Sequence, residues 1–113
     1  MRYSRHRRRD GGRDWSLLSR HGSILFYIAA NPDTTVKHLA EDFSLTRRTI
    51  WSVIGDLRGE GMLHVRKSGR RNHYLVNLEA PFHHPTIRGY SLRHVLGWLV
   101  GRSRRNRALA PEP

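Results

Sequence analysis

The side chains able to do chemistry in these 113 residues are eight histidines, nine carboxylates and a scatter of serines and threonines. His83, His84 and His94 form the densest histidine group. Neighbouring histidines rarely ligate one ion together, and with no cysteine and no nearby carboxylate to complete a set, no metal site and no cofactor are expected. Serine, histidine and aspartate all occur, but not at the spacing of a nucleophile motif, a Gly-rich phosphate loop or paired carboxylates, so the chain reads as a non-enzyme. The chemistry that does cluster is cationic. Arg47 and Arg48 lie beside Thr46, Thr49, Trp51 and Ser52, and Arg66, Lys67, Ser68, Arg70, Arg71 and Asn72 surround Gly69. Guanidinium and ammonium groups interleaved with short hydroxyls suit phosphate oxygens, and an Arg fork also fits a guanine edge.

The overall charge agrees. Lys plus Arg number 21 against 9 Asp plus Glu, a formal +12, which points to a polyanionic partner and is silent about fold. Residues 1–13 carry six Arg and one Asp, net +5; residues 103–113 carry three Arg and one Glu, net +2; the remaining +5 belongs to residues 14–102. Both ends lack apolar periodicity and are expected to be disordered basic arms flanking one domain, 14–102. A hydrophobic content of 37% is enough for a core at this length. The longest apolar run, from Ile24 to Ala30, is seven residues, far short of the roughly 20 that a membrane span needs. The Arg-rich start is not expected to act as a secretory signal, because Asp10, Asp14, Arg20 and His21 interrupt the apolar stretch. Absence of cysteine makes an intracellular setting the simpler expectation, and with it a cytoplasmic, nucleoid-associated location.

The elements that must position the cations follow from periodicity. Ile24, Leu25, Ile28 and Ala29 mark one face of a helix from Ser19 to Asn31, stopped by Pro32. Trp15, Leu17 and Leu18 are too apolar for a free arm and predict a short helix, or an extension of the next one, packed on the core or on a partner. Thr35 caps a helix over Val36 to Phe43, with Val36, Leu39, Ala40 and Phe43 on its inner face. A turn at Ser44 and Leu45 leads to Thr46, which caps Arg47 to about Glu60. That helix buries Ile50, Val53, Ile54 and Leu57, and Gly61 ends it. Ser44 stands where this kind of turn often has Gly, so a turn of another type or length is expected. Trp51 either contacts a thymine methyl or sugar, or completes the core.

Beyond Gly61 the apolar period falls from 3.6 to 2. Met62 to Lys67 predict a strand, Ser68 to Arg71 a turn, and Asn72 to Leu78 a returning strand. Pro81 and Pro85 bracket a non-helical crossing. Ser91 then caps a last helix, Leu92 to Arg102, with Leu92, Val95, Leu96 and Leu99 on a stripe beside Trp98.

Helix, helix-turn-helix and basic hairpin in this order make an α+β, mostly α, winged helix-turn-helix. The segments Thr35-Val36-Lys37-His38-Leu39-Ala40, Leu45-Thr46-Arg47-Arg48-Thr49-Ile50 and Gly69-Arg70-Arg71-Asn72-His73-Tyr74 resemble those of small MarR/ArsR-like prokaryotic transcriptional regulators. The resemblance spans His21 to Leu78. It implies a homodimer on pseudo-palindromic double-stranded DNA, with Leu17, Leu92, Val95, Leu96, Trp98 and Leu99 as candidate dimer contacts. It names neither operator nor small-molecule effector. The rival reading on the same scaffold is a general DNA or RNA binder that relies on its Arg-rich arms.

Overall fold

The computed structural model describes residues 15–82 and 84–109. The first arm, 1–13, and His83 lie outside the described residues.

Ser19 opens α1 (Arg20–Ala30): its hydroxyl accepts the Gly22 amide at 3.1 Å, satisfying one of the unpaired first-turn donors. Asn31 and Pro32 end it. The buried face is Ile24, Leu25, Ile28 and Ala29, the set read from the periodicity. The short helix expected around Trp15 to Leu18 does not form. The cap at Ser19 fixes the helix start downstream, and Trp15 and Leu17 stand 61% and 89% exposed rather than packed on the core.

Thr35 caps α2 (Val36–Phe43), accepting the His38 amide at 3.1 Å. The turn that follows is the left-handed type, contrary to expectation, with Ser44 itself at φ 54°. Two bonds hold it there. The Leu45 amide reaches back to the Ala40 carbonyl at 2.9 Å and the Ser44 amide to Glu41, a Schellman arrangement that satisfies the last carbonyls of α2. Leu45 packs against the core and helps to offset the cost of a side chain in this conformation.

Thr46 caps α3 (Arg47–Gly59), whose buried residues are Ile50, Val53, Ile54 and Leu57. A second Schellman arrangement closes it: Met62 N–H donates to Leu57 at 3.0 Å, with Gly61 at φ +73°. The chain then forms an antiparallel hairpin of β1 (Leu63–Ser68) and β2 (Arg71–Val76), in register from Leu63 opposite Val76 to Ser68 opposite Arg71. Gly69 takes the first of the two turn positions at φ +63°, where a hairpin turn of type II′ requires glycine. Leu78 drops out of the predicted strand because Asn77 ends the ladder. The Asn77 amide group donates to the Gly61 carbonyl at 2.9 Å, and its side-chain oxygen accepts the Glu79 N–H at 3.1 Å.

A loop leaves at Pro81 and returns at Ser91, where the two residues pair as an isolated bridge. The last helix, α4 (Leu92–Leu109), outruns the Arg102 end expected from sequence and takes in residues placed in a disordered tail. Ser103 to Leu109 contain neither Gly nor Pro, the residues that interrupt a helix. At its start the Leu92 and Arg93 amides donate to the Ala80 and Leu78 carbonyls, both at 2.8 Å, which pins α4 to the segment that follows the hairpin.

The core gathers Ile24, Ile28, Leu39, Ile50, Ile54, Leu63 and Leu96, all without exposed side-chain surface to speak of. α4 packs against α1, α3 against α1 and β1, and β2 against α1, so α1 is the common support.

Candidate nucleic-acid interface

With Ile50, Val53, Ile54 and Leu57 turned inward, the 3.6-residue period leaves Arg47, Arg48, Trp51, Ser52 and Gly55 on the outer face of α3, all exposed. Thr46 is less free than its position implies. Its hydroxyl oxygen accepts the Thr49 amide at 3.0 Å, and its proton goes to the Thr49 hydroxyl at 2.9 Å. That leaves the Thr49 hydroxyl, half-buried, with its own proton to donate. Thr35 is likewise a cap first, although its side chain remains exposed.

The hairpin presents Arg66, Lys67, Ser68, Arg70 and Arg71 to solvent and Asn72 half-buried. Cross-strand neighbours share a face, so Ser68 and Arg71 lie on one side of the hairpin and Lys67 and Asn72 on the other. Cations therefore emerge from both sides of the tip.

Trp51 does not complete the core. It is 45% exposed and lines a cleft between α3 and the hairpin together with Thr35, Arg70, Arg71 and Asn72. Three separate elements, the start of α2, the outer face of α3 and the start of β2, thus converge on one concave surface.

Residues 20–75 match a family model described as an HTH domain, while none of the curated proteins and none of the solved structures compared with the chain matches it. Residues 20–75 are a helix-turn-helix domain. The helix-turn-helix match begins with α1 and ends in β2, so the loop 81–91 and α4 fall outside it.

Three contacts that brace the helix-turn-helix were not read from the sequence. His21 Nε2 lies 2.8 Å from Asp56 Oδ2, tying α1 to the last turn of α3. Asp33 faces His73 Nδ1 at 4.0 Å, linking the turn before α2 to β2. Tyr27 donates its hydroxyl to Asp42, and the Asp42 carboxylate holds the Tyr27 phenol above the ordinary tyrosine value, with burial adding to it. Each pair is separated by 15 to 40 positions, so only the fold brings the partners together.

The candidate dimer residues divide sharply. Leu92 and Leu96 are 4% and 0% exposed inside this chain's own core, and Leu99 packs against it, so their apolar periodicity reports packing on α1 and not a surface offered to a second copy. Val95 is half-buried. Trp98 and Leu17 are the two of the set that remain exposed, at 63% and 89%. Among the described residues no three His, Asp or Glu side chains are grouped to hold a metal ion, and no helix is long and apolar enough to cross a membrane.

Proposed function

We propose that this chain is a sequence-specific, double-stranded DNA-binding transcriptional regulator of the MarR/ArsR-like kind, cytoplasmic and nucleoid-associated, acting as a homodimer. The observation that carries the reading is the cleft in which Trp51 of α3 meets Arg70, Arg71 and Asn72 of the hairpin, with Arg47, Arg48 and Ser52 exposed on the outer face of the same helix. A helix about 10 to 12 Å across fits a B-DNA major groove about 12 Å wide. With α3 in the groove, Arg48, Trp51 and Ser52 reach base edges, and the hairpin cations meet the flanking backbone or the adjacent minor groove. Thr49 donates to a phosphate. The His21–Asp56 pair links α3 to α1, and the Asp33–His73 contact links the wing to the turn before α2. No enzymatic step and no cofactor enters the mechanism.

Selection of bound duplexes from a random DNA pool at moderate salt tests it. A regulator enriches a motif with two-fold symmetry and prefers it at least about 10³-fold over random DNA. Recovery of no motif, with affinity set only by a steep dependence on salt, makes the chain a general nucleic-acid binder instead.

A further inference from the structure

Of the large apolar side chains on α3, only Trp51 is exposed; Ile50, Val53, Ile54 and Leu57 are buried in the core. Its neighbours are cations on two sides. Arg47 and Arg48 precede it by one helical turn, and Arg70 and Arg71 line the same cleft from the hairpin. Guanidinium groups are satisfied by phosphates or by the acceptors on guanine. An indole face is satisfied by neither: to leave water favourably it has to meet another apolar surface. In the major groove that surface is scarce. Guanine, adenine and cytosine offer hydrogen-bonding groups there, and thymine alone of the four adds an apolar one, the methyl on C5. The sugars at the rim of the groove are the other apolar surface within reach.

Depth in the groove decides between methyl and sugar. One turn beyond Trp51 on the same face stands Gly55, and a Cβ built there would meet nothing within 4 Å. Glycine inside a helix is destabilising relative to alanine, and here neither a crowding neighbour nor a left-handed backbone requires it. Its remaining use is close approach of the helix backbone to something outside the chain. Ser52, the exposed residue between them on this face, is short as well. The low surface beyond the indole lets α3 sink toward the base edges and carries the indole past the sugars to the groove floor.

We propose that Trp51 reads the C5-methyl group of a pyrimidine in the major groove, so that the chain distinguishes thymine from uracil and 5-methylcytosine from cytosine. The inference rests on the reading of the chain as a duplex-binding regulator and names the base group that its helix selects. Thymine and 5-methylcytosine carry the methyl at the same ring position, so either one covers the indole although their pairing edges differ.

The full chain is titrated by fluorescence anisotropy, at fixed salt, against the duplex recovered from the random pool and against copies in which each thymine is replaced singly by uracil. Uracil keeps the base pair and every hydrogen-bonding group and removes only the methyl. At one position affinity should fall roughly fourfold, the share of one buried methyl. The Trp51→Ala chain should bind the parent duplex more weakly and no longer distinguish uracil from thymine. At the same position, paired with guanine, 5-methylcytosine should be bound roughly fourfold more tightly than cytosine by the parent chain, and equally by Trp51→Ala. Gly55→Gln, at an exposed helical position, should keep the fold and weaken binding about tenfold by holding α3 off the bases. A selected motif without thymine, uracil tolerated at every position, or a methyl effect of the same size in the Trp51→Ala chain overturns the proposal. So does equal binding of cytosine and 5-methylcytosine by the parent, or full affinity in the Gly55→Gln chain. Each of these leaves the regulator reading standing. That reading fails separately, when the pool yields no motif, and the proposal falls with it.

Discussion

Thr46 and Arg48 sit two positions apart and have opposite duties. The Thr46 hydroxyl is spent inside the protein, on the Thr49 amide and hydroxyl, whereas Arg48 is exposed and makes no internal bond among those described. Arg48→Ala should therefore leave the fold intact and cost roughly 1 to 3 kcal/mol on the selected duplex, with loss of preference at one base pair. Competition binding against single-base variants of that duplex measures this; an equal loss on every sequence would make Arg48 a phosphate contact. Tyr27 carries a different prediction, on pH. Its phenol is raised, first by the bond to Asp42 and then by burial, so the stabilisation is complete below about 10, the unfolded value. It disappears as pH climbs through the raised folded value, where tyrosinate would face the Asp42 carboxylate. Thermal melting between pH 8 and 11 should fall less steeply for Tyr27→Phe than for the parent. Some alkaline fall persists, because burial raises Tyr74 as well.

At the scale of elements, the turn between α2 and α3 sets the crossing of the two helices, and it carries a serine at φ 54° where glycine is unstrained. Ser44→Gly should raise stability by about 0.5 to 1 kcal/mol, the relief of left-handed strain less the extra entropy of a glycine in the unfolded chain. Urea denaturation decides it, and a loss of stability would show that the Ser44 side chain is itself holding the turn. This turn also marks the boundary of what the sequence made legible. Caps at Thr35 and Thr46 and the apolar faces of α1, α2 and α3 depend on neighbours within four positions, and they were readable. Ser44 departed from expectation because the Leu45 to Ala40 bond outweighs an intrinsic preference. β2 stopped early because Asn77 found a partner 16 residues away at Gly61, a contact no periodicity encodes. The site followed the same division: its cations were visible as clusters, whereas the cleft that brings Trp51 to Arg70 and Arg71 required the fold.

For the whole molecule, the proposed homodimer rests on where apolar surface remains after folding. The sequence assigned one stripe of the last helix to a second copy, because periodicity shows which residues share a face and cannot show what covers it. In the folded chain α1 covers Leu92 and Leu96, while Trp98 points away from that core at 63% exposure. Leu96→Glu and Trp98→Glu therefore report on different things. The first puts an unpaired charge into a fully buried position and should cost about 4 kcal/mol or more, unfolding the chain whatever its concentration. The second changes only exposed surface, so the far-ultraviolet spectrum should be unchanged and stability should move by no more than about 0.5 kcal/mol in the monomer. If Trp98 meets its counterpart across a two-fold axis, each dimer gains two facing carboxylates at once, and the assembly should weaken by well over tenfold. Sedimentation velocity over a hundredfold range of concentration distinguishes the cases. A parent that sediments as a dimer and a folded Trp98→Glu chain that sediments as a monomer place the interface on the outer face of α4, and a parent that is monomeric throughout removes the homodimer from the mechanism, leaving each copy to bind its half-site alone.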